Sequence, residues 1–196
     1  MNRKNIQHCT AFCGSRCIAT GKLEEVIKLV KENIDNGEVL SVLIFDDISS
    51  ELIEVDFRGK MEDVLSRLDN PIASDNRDAT IPRGPGRPKL GVIPREVTLL
   101  PRHWEWLNSQ PGGASVALRK LVEEARRMNS DRDQLRSSQG GVYRFMSAMA
   151  GDLPGFEEAS RALFAGNPEK FNEIVTTWPV DIRDHVQKLS VNAFPE

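Results

Sequence analysis

The chain has 196 residues, enough for one or two compact domains, and 39% of them are apolar, enough to fill a core without staples. A formal net charge of −3 argues against a uniformly basic polyanion binder. No stretch has the length of a membrane span, and no apolar segment follows the basic start Met1-Asn2-Arg3-Lys4-Asn5, so the expected compartment is the cytoplasm, with no membrane partner.

Charge changes sign along the chain. Residues 1–79 hold 10 basic and 15 acidic side chains, and residues 128–196 hold 7 and 10. Residues 80–127 hold 9 and 4, a basic middle between acidic flanks. A segment whose charge opposes its neighbours' is the pattern of an interaction surface, and the acidic flanks oppose indiscriminate binding.

In chain order, residues 1–69 are predicted to form a small α+β domain. Residues 8–12 and 16–19 read as strands around the Gly14-Ser15 turn. The three cysteines, Cys9, Cys13 and Cys17, are a poor disulfide framework. Their spacing is not that of a zinc knuckle, even with His8 beside them, and no second ligand pair follows. Ordinary half-buried thiols are expected, with no cofactor. Residues 22–34 carry Leu23, Val26, Ile27, Val30 and Ile34 at helical spacing, ended by Asn36-Gly37. Residues 39–45 form a continuous apolar strand, and residues 51–58 alternate cleanly enough to predict a fourth. A last helix, residues 61–68, completes a sandwich whose helices can cover one sheet face. Asp46, Asp47, Glu54 and Asp56 have no histidine or nucleophile in company, and are expected to cap turns and solvate a sheet face.

Residues 70–94 read as a flexible linker rich in proline and glycine, ending in Arg83-Gly84-Pro85-Gly86-Arg87-Pro88-Lys89. Residues 95–128 follow as one module. A short strand over 95–100 leads to Pro101, a favoured first helical residue, and a helix to residue 109. Gln110-Pro111-Gly112-Gly113 breaks that helix, and Ser115 is the expected cap of a second over 116–128. Leu118, Leu121, Val122 and Ala125 make its apolar face, opposite Arg119, Lys120, Glu123, Glu124, Arg126 and Arg127.

Residues 129–196 are predicted to be a helical region. Its first helix, 130–149, is interrupted at Gly140-Gly141 and has Tyr143, Met146 and Met149 on its apolar side. Shorter helices follow over 156–165, 169–176 and 181–189. Phe145, Phe156, Phe164, Phe171 and Trp178 fall where a helical core needs them. The fold class is therefore α+β: a strand-helix sandwich, a strand-helix-helix middle and a helical end.

Three resemblances add to this reading. Residues 86–127 (GRPKLGVIPREVTLLPRHWEWLNSQPGGASVALRKLVEEARR) and 143–164 (YRFMSAMAGDLPGFEEASRALF) strongly resemble the bacterial family known as domain of unknown function 2239. Residues 10–20 and 43–59 are similar to its amino-terminal half. That family carries no assigned activity. Residues 96–127 also resemble a ribbon-helix-helix DNA-binding module, in which two chains pair their strands into a ribbon that enters the major groove. The resemblance implies a homodimer, with Glu96 and Thr98 facing outward if Val97 and Leu99 point inward. A register shifted by one turns Arg95 outward instead. It also implies that the amides of Gly113, Ala114 and Ser115 face phosphate. Glu96 departs from the pattern, since a carboxylate repels phosphate although it can accept from cytosine N4.

Gly86-Arg87-Pro88 is similar to the core of an AT-hook, an extended arm that lies in the narrow minor groove of A·T-rich DNA. Pro85 departs from that motif. The resulting expectation is a DNA-binding protein and not an enzyme, a transcriptional regulator or architectural factor acting on double-stranded, A·T-favoured DNA. Arg83, Arg87 and Lys89 would form the arm, Arg95, Glu96 and Thr98 the base-reading edge, and Arg119 and Lys120 would add attraction. The alternative is a protein-interaction module, with Trp104 and Trp106 as partner-facing anchors. No phosphate loop, nucleophile elbow or HExxH sequence is present, and His8, His103 and His185 lie in three different regions.

Overall fold

The computed structural model describes residues 8–39, 41–69, 93 and 95–195. They fall into two compact units: residues up to Asp69 join those from Asp131 onward, and the described residues from Ile93 to Ser130 form the other. The architecture is α+β. The regions read from sequence as an amino-terminal sandwich and a separate helical end thus belong to one unit.

The larger unit is built on a three-stranded antiparallel sheet, ordered β2-β1-β3, from β1 (Cys9–Cys13), β2 (Arg16–Gly21) and β3 (Leu43–Asp46). The β1–β2 register slips between Ala11 and Phe12, so Cys17 lies opposite Phe12. Such a bulge re-aims a side chain by one residue. Helix α1 (Leu23–Asp35) follows the predicted periodicity. Gly37, at φ +73°, ends it: its amide donates to Ile34 and that of Glu38 to Asn33, a Schellman closure.

Central strand β1 is buried on both faces. Cys9 and Ala11 pack with Ala19, Val26, Val30 and Ile44 on the α1 side. Phe12 enters the other, larger core with Phe45 and residues of four later helices, α5 (Ser130–Met149), α6 (Phe156–Phe164), α7 (Pro168–Val175) and α8 (Val180–Ser190). The expectation that helices cover one face is corrected on this point. Strands this short cannot be stable without cover on their apolar faces.

Residues 51–58 do not form the predicted fourth strand. After Ser50, at φ +53°, pairing is limited to one bridge between Phe45 and Leu52, made by the Ile53 amide donating to the Ile44 carbonyl at 2.8 Å and the Asp46 amide donating to the Glu51 carbonyl at 3.0 Å. Asp56 then draws the backbone amide of Arg58 into a local turn at 3.1 Å. Ile53, Val55 and Phe57 still pack against the α1-side core, so the alternation reported burial and not ladder bonding. Helix α2 (Met61–Asp69) closes this half.

Helix α5 is continuous through Gly140-Gly141, contrary to the expected interruption. The two glycines differ in surroundings. A Cβ at Gly140 meets nothing within 4 Å, whereas one at Gly141 lies 3.2 Å from the Ile48 carbonyl oxygen. The 46–50 turn approaching there is held from within, because Asp46 Oδ1 accepts from the Ile48 and Ser49 amides at 3.0 and 2.7 Å. Arg144 of α5 also donates to the Ser49 carbonyl. Of the aromatics assigned to the core, Phe145, Phe171 and Trp178 are buried, and Trp178 Nε1 donates to the Pro154 carbonyl at 2.9 Å. Phe164 is 56% exposed, as the last residue of α6, and stacks with exposed Tyr143 at 5.5 Å between centroids.

Helix α8 is fastened to the sheet by polar contacts. Asp181 accepts from the Cys17 amide at 2.8 Å. Lys188 donates to Asp47 at 2.7 Å, and Thr10 donates to the other oxygen of that carboxylate at 2.7 Å. Between these contacts His185 is buried against Phe12 and Phe145, with centroids at 5.3 and 4.5 Å. Its Nε2 has no hydrogen-bond partner among the described residues.

Two predictions follow from this packing. Gly140→Ala should stabilise the protein by about 0.5–1 kcal/mol through helix propensity. Gly141→Val should destabilise it by about 1–3 kcal/mol, because the pinned turn cannot retreat, and urea denaturation of both variants checks the pair.

The second concerns acid. Burial, reinforced by Lys188 and opposed by Asp47, pushes the His185 pKa down to about 4. The unfolded chain takes up that proton near the ordinary value of about 6.5 while the folded chain does not. This contribution is therefore intact above about pH 6.5, and roughly 3 kcal/mol of it is lost as the pH falls to about 4. His185→Phe should flatten that part of the stability–pH curve measured by denaturation, and an unchanged difference between the two proteins across the window would contradict it.

Candidate nucleic-acid interface

The smaller unit begins, among described residues, with Ile93 and the segment 95–100, which joins no sheet ladder, so the short strand predicted there is not formed in the single chain. Extended backbone at Leu100, φ −65° and ψ 150°, delivers the chain into helix α3 (Pro101–Ser109). Pro101 suits that first position because it lacks an amide hydrogen, which would have had no intrahelical acceptor there. Ser109 Oγ and Gln110 Nε2 both donate to the Trp106 carbonyl, at 2.7 and 3.1 Å, closing the last turn.

Gly112 then takes φ +87° and caps helix α4 (Gly113–Met128). A Cβ at Gly112 would lie 3.1 Å from Val116, so position and sterics both require glycine. The cap expected at Ser115 is thereby displaced: Ser115 is the third residue of the helix. The sequence signal misled because the left-handed Gly112-Gly113 pair starts the helix three residues earlier than side-chain capping would.

The structure places the predicted contact residues unevenly. Arg83, Arg87 and Lys89 lie outside the described residues. Arg95, Glu96, Val97 and Thr98 are exposed on the 95–100 segment, and Leu99 alone is half-buried. At the start of α4 the Gly113 amide already donates to the Gln110 carbonyl at 2.9 Å. Of the three amides expected to face phosphate, this one is committed to the turn. Arg119 and Lys120 are exposed, and Arg119 Nε donates back to the Ser115 carbonyl at 3.1 Å. That contact draws the guanidinium toward the α4 start, where a cation near the amides can join them around one anion.

What sequence reasoning underweighted is the thinness of the core. In this unit only Leu107 and Ala117 are buried apolar residues among those described. Ile93, Val97, Leu100, Trp104, Trp106, Leu121, Val122 and Met128 are exposed. The signal was present in the sequence: two helices of nine and sixteen residues with wide apolar faces, and too little chain around them to cover both.

In the larger unit the turn carboxylates are engaged structurally. Asp46 caps its turn, Asp47 bridges Thr10 and Lys188, and Asp56 pairs with Arg58 at 2.8 Å. The Cys9 thiol is pushed up to about 12 by burial and then by Asp47 and Asp46, and Cys17 is raised by burial and then Asp181. Such thiols are protonated and unreactive near neutrality. Among the described residues no group of three His, Cys, Asp or Glu side chains is arranged to hold a metal ion. None of the described helices is long and apolar enough to cross a membrane.

A family model described as an uncharacterized protein conserved in bacteria (DUF2239) covers residues 8–190. No curated protein and no solved structure matches the chain.

Proposed function

The chain belongs to this uncharacterised bacterial family, DUF2239, and from that premise we propose that it is a DNA-binding protein, a homodimeric regulator or architectural factor that engages duplex DNA through its smaller unit. The observation that carries the reading is the exposed segment 95–100, which joins no sheet ladder, bears Arg95 and runs into a proline-started helix, a double-glycine turn and α4. A segment with exposed side chains along its length can present them to base edges in a groove. The adjacent sequence supplies Arg83, Arg87 and Lys89 within a proline- and glycine-rich arm, the composition that suits a narrow, electronegative minor groove. Thr98 with Arg95 or Glu96 reads base edges, and the start of α4, with Ala114 and Ser115, approaches phosphate.

The larger unit, net acidic in both its sequence halves, is suited to protein contacts or to limiting non-specific binding. A second reading, a protein-assembly module without nucleic acid, draws on Trp106, which is 51% exposed beside Trp104.

Fluorescence anisotropy with A·T-rich and G·C-rich duplexes across a salt series separates the two. The DNA reading expects tighter binding to A·T-rich duplex that weakens with salt. Arg87→Ala/Lys89→Ala should reduce the slope of log K against log salt by roughly two, one for each lost phosphate neutralisation. Absence of binding by the intact protein at low salt overturns the reading and leaves the assembly module.

A further inference from the structure

Helix α2 and the turn before it line a pocket of about 480 Å³, formed by Arg58, Gly59, Asp63, Ser66 and Arg67. Asp63 and Arg67 lie four residues apart on α2, acid before base, the order that normally closes an ion pair along a helix. Here they form none. Arg67 turns instead to Asp56, with Nη1 at 3.3 Å, and its Nη2 donates to the Arg58 carbonyl. Its Nε is buried and has no hydrogen-bond partner among the described residues. A buried donor left unbonded is costly, so this edge of the guanidinium is fixed in place and lacks an acceptor.

The Asp63 carboxylate is half engaged. One oxygen accepts from the Lys60 amide at 3.0 Å, and the other has no partner among the described residues. Gly59, at φ +87°, stands against it: a Cβ there would lie 2.8 Å from the capping oxygen, so a side chain would displace the carboxylate. Ser66 Oγ donates to the Asp63 carbonyl at 2.9 Å, which leaves its lone pairs free to accept. Asp56 receives Nε and Nη2 of Arg58, at 2.8 and 2.9 Å, and neutralises one of the two guanidinium charges. What remains around the pocket is one unpaired positive charge and one unpaired carboxylate.

We propose that this pocket binds a small zwitterion, a free α-amino acid, with its carboxylate on Arg67 and Arg58 and its ammonium on Asp63 and Ser66. The ligand's two charged groups complete the ion pair that Asp63 and Arg67 leave open. A simple anion would meet the Asp63 carboxylate, and a simple amine would meet two guanidinium groups. The Lys60 amide is already taken up by Asp63, so the start of α2 gives an anion no additional donor there. A pocket of this volume lies within the range of small-molecule sites, about 300–1,000 Å³, and leaves room for an amino-acid side chain beyond the charged groups. Every residue named belongs to the larger unit, and the inference does not depend on the DNA reading of the smaller one.

Isothermal titration of the full chain with each common L-amino acid in turn, up to about 10 mM, tests it. The expected result is one-to-one binding of at least one of them with Kd of about 1 mM or tighter. The same amino acid as its amide, without the carboxylate, or N-acetylated, without the ammonium, should bind at least about tenfold more weakly to the unaltered protein. Asp63→Asn keeps an oxygen for the Lys60 amide and should weaken binding by a similar factor, as should Arg67→Gln, with thermal melts checking that both variants fold. Absence of binding by every amino acid overturns the proposal, as does affinity that survives N-acetylation, amidation or Asp63→Asn. Inorganic phosphate that competes with the amino acid and binds as tightly would show a plain anion site and overturn it too.

Discussion

The fold of the larger unit depends on one constraint, the burial of β1 on both faces. Cys9 and Ala11 are fully buried under α1, while Phe12 meets Phe45, Phe145 and His185 on the other side. A sheet of three strands, each four to six residues long, contributes little stability as an isolated ladder. Its aromatic face has to be covered, and the covering residues lie more than a hundred positions later in the chain. Other features follow as consequences. The glycine at 141 admits the 46–50 turn to α5, Arg144 bonds that turn, and Asp181 and Lys188 pin α8 to the sheet.

Connectivity gives this constraint its functional meaning. Because one core takes residues from both ends, the basic middle of the chain is an insertion between two halves of a single unit. Neither core of the larger unit draws on a described residue between Ile93 and Ser130. The inserted stretch can therefore carry prolines, glycines and a surplus of cations that a core-forming segment could not. The charge reversal along the sequence coincides with this division: both halves of the larger unit are net acidic and the inserted stretch is net basic. Clustered cations cost folding energy by self-repulsion, and segregating them in an insertion keeps that cost away from the larger core.

Much of the local structure was legible. The 3.6-residue period found α1, and Asn36-Gly37 marked its end because only a left-handed residue completes that closure. Pro101 marked the start of α3. Three errors share a cause. The alternation over 51–58, the glycine pair at 140–141 and the aromatic Phe164 were each read by residue type alone. Their outcomes were decided by neighbours distant in sequence or by position at a helix end. Residues 53, 55 and 57 found a core but no more than a single bridge to β3, Gly141 found a loop, and Phe164 fell on the last, outward position of α6. The joining of Phe12 to Phe145 and His185 leaves no trace in local pattern, so the single larger unit was not legible. For the candidate interface, composition located the cations and the helix-turn-helix outline. It could not show that the Gly113 amide is spent on the turn, or that Arg119 folds back toward Ser115.

On the DNA reading of the smaller unit, pairing of two copies and binding by the arm would reinforce each other energetically. One arm with Arg83, Arg87 and Lys89 would neutralise about three phosphates, and its binding alone would be weak and salt-sensitive. Pairing two copies doubles the cations presented to one duplex. The second arm then binds at an effective concentration set by its tether and no longer by bulk protein, a gain that needs no new contact. It would also offset Glu96, whose exposed carboxylate would weaken each copy's approach to phosphate while permitting a hydrogen bond from cytosine in a groove. On that reading single chains would be left with an arm too weak to hold DNA, and occupancy would rise more steeply than protein concentration.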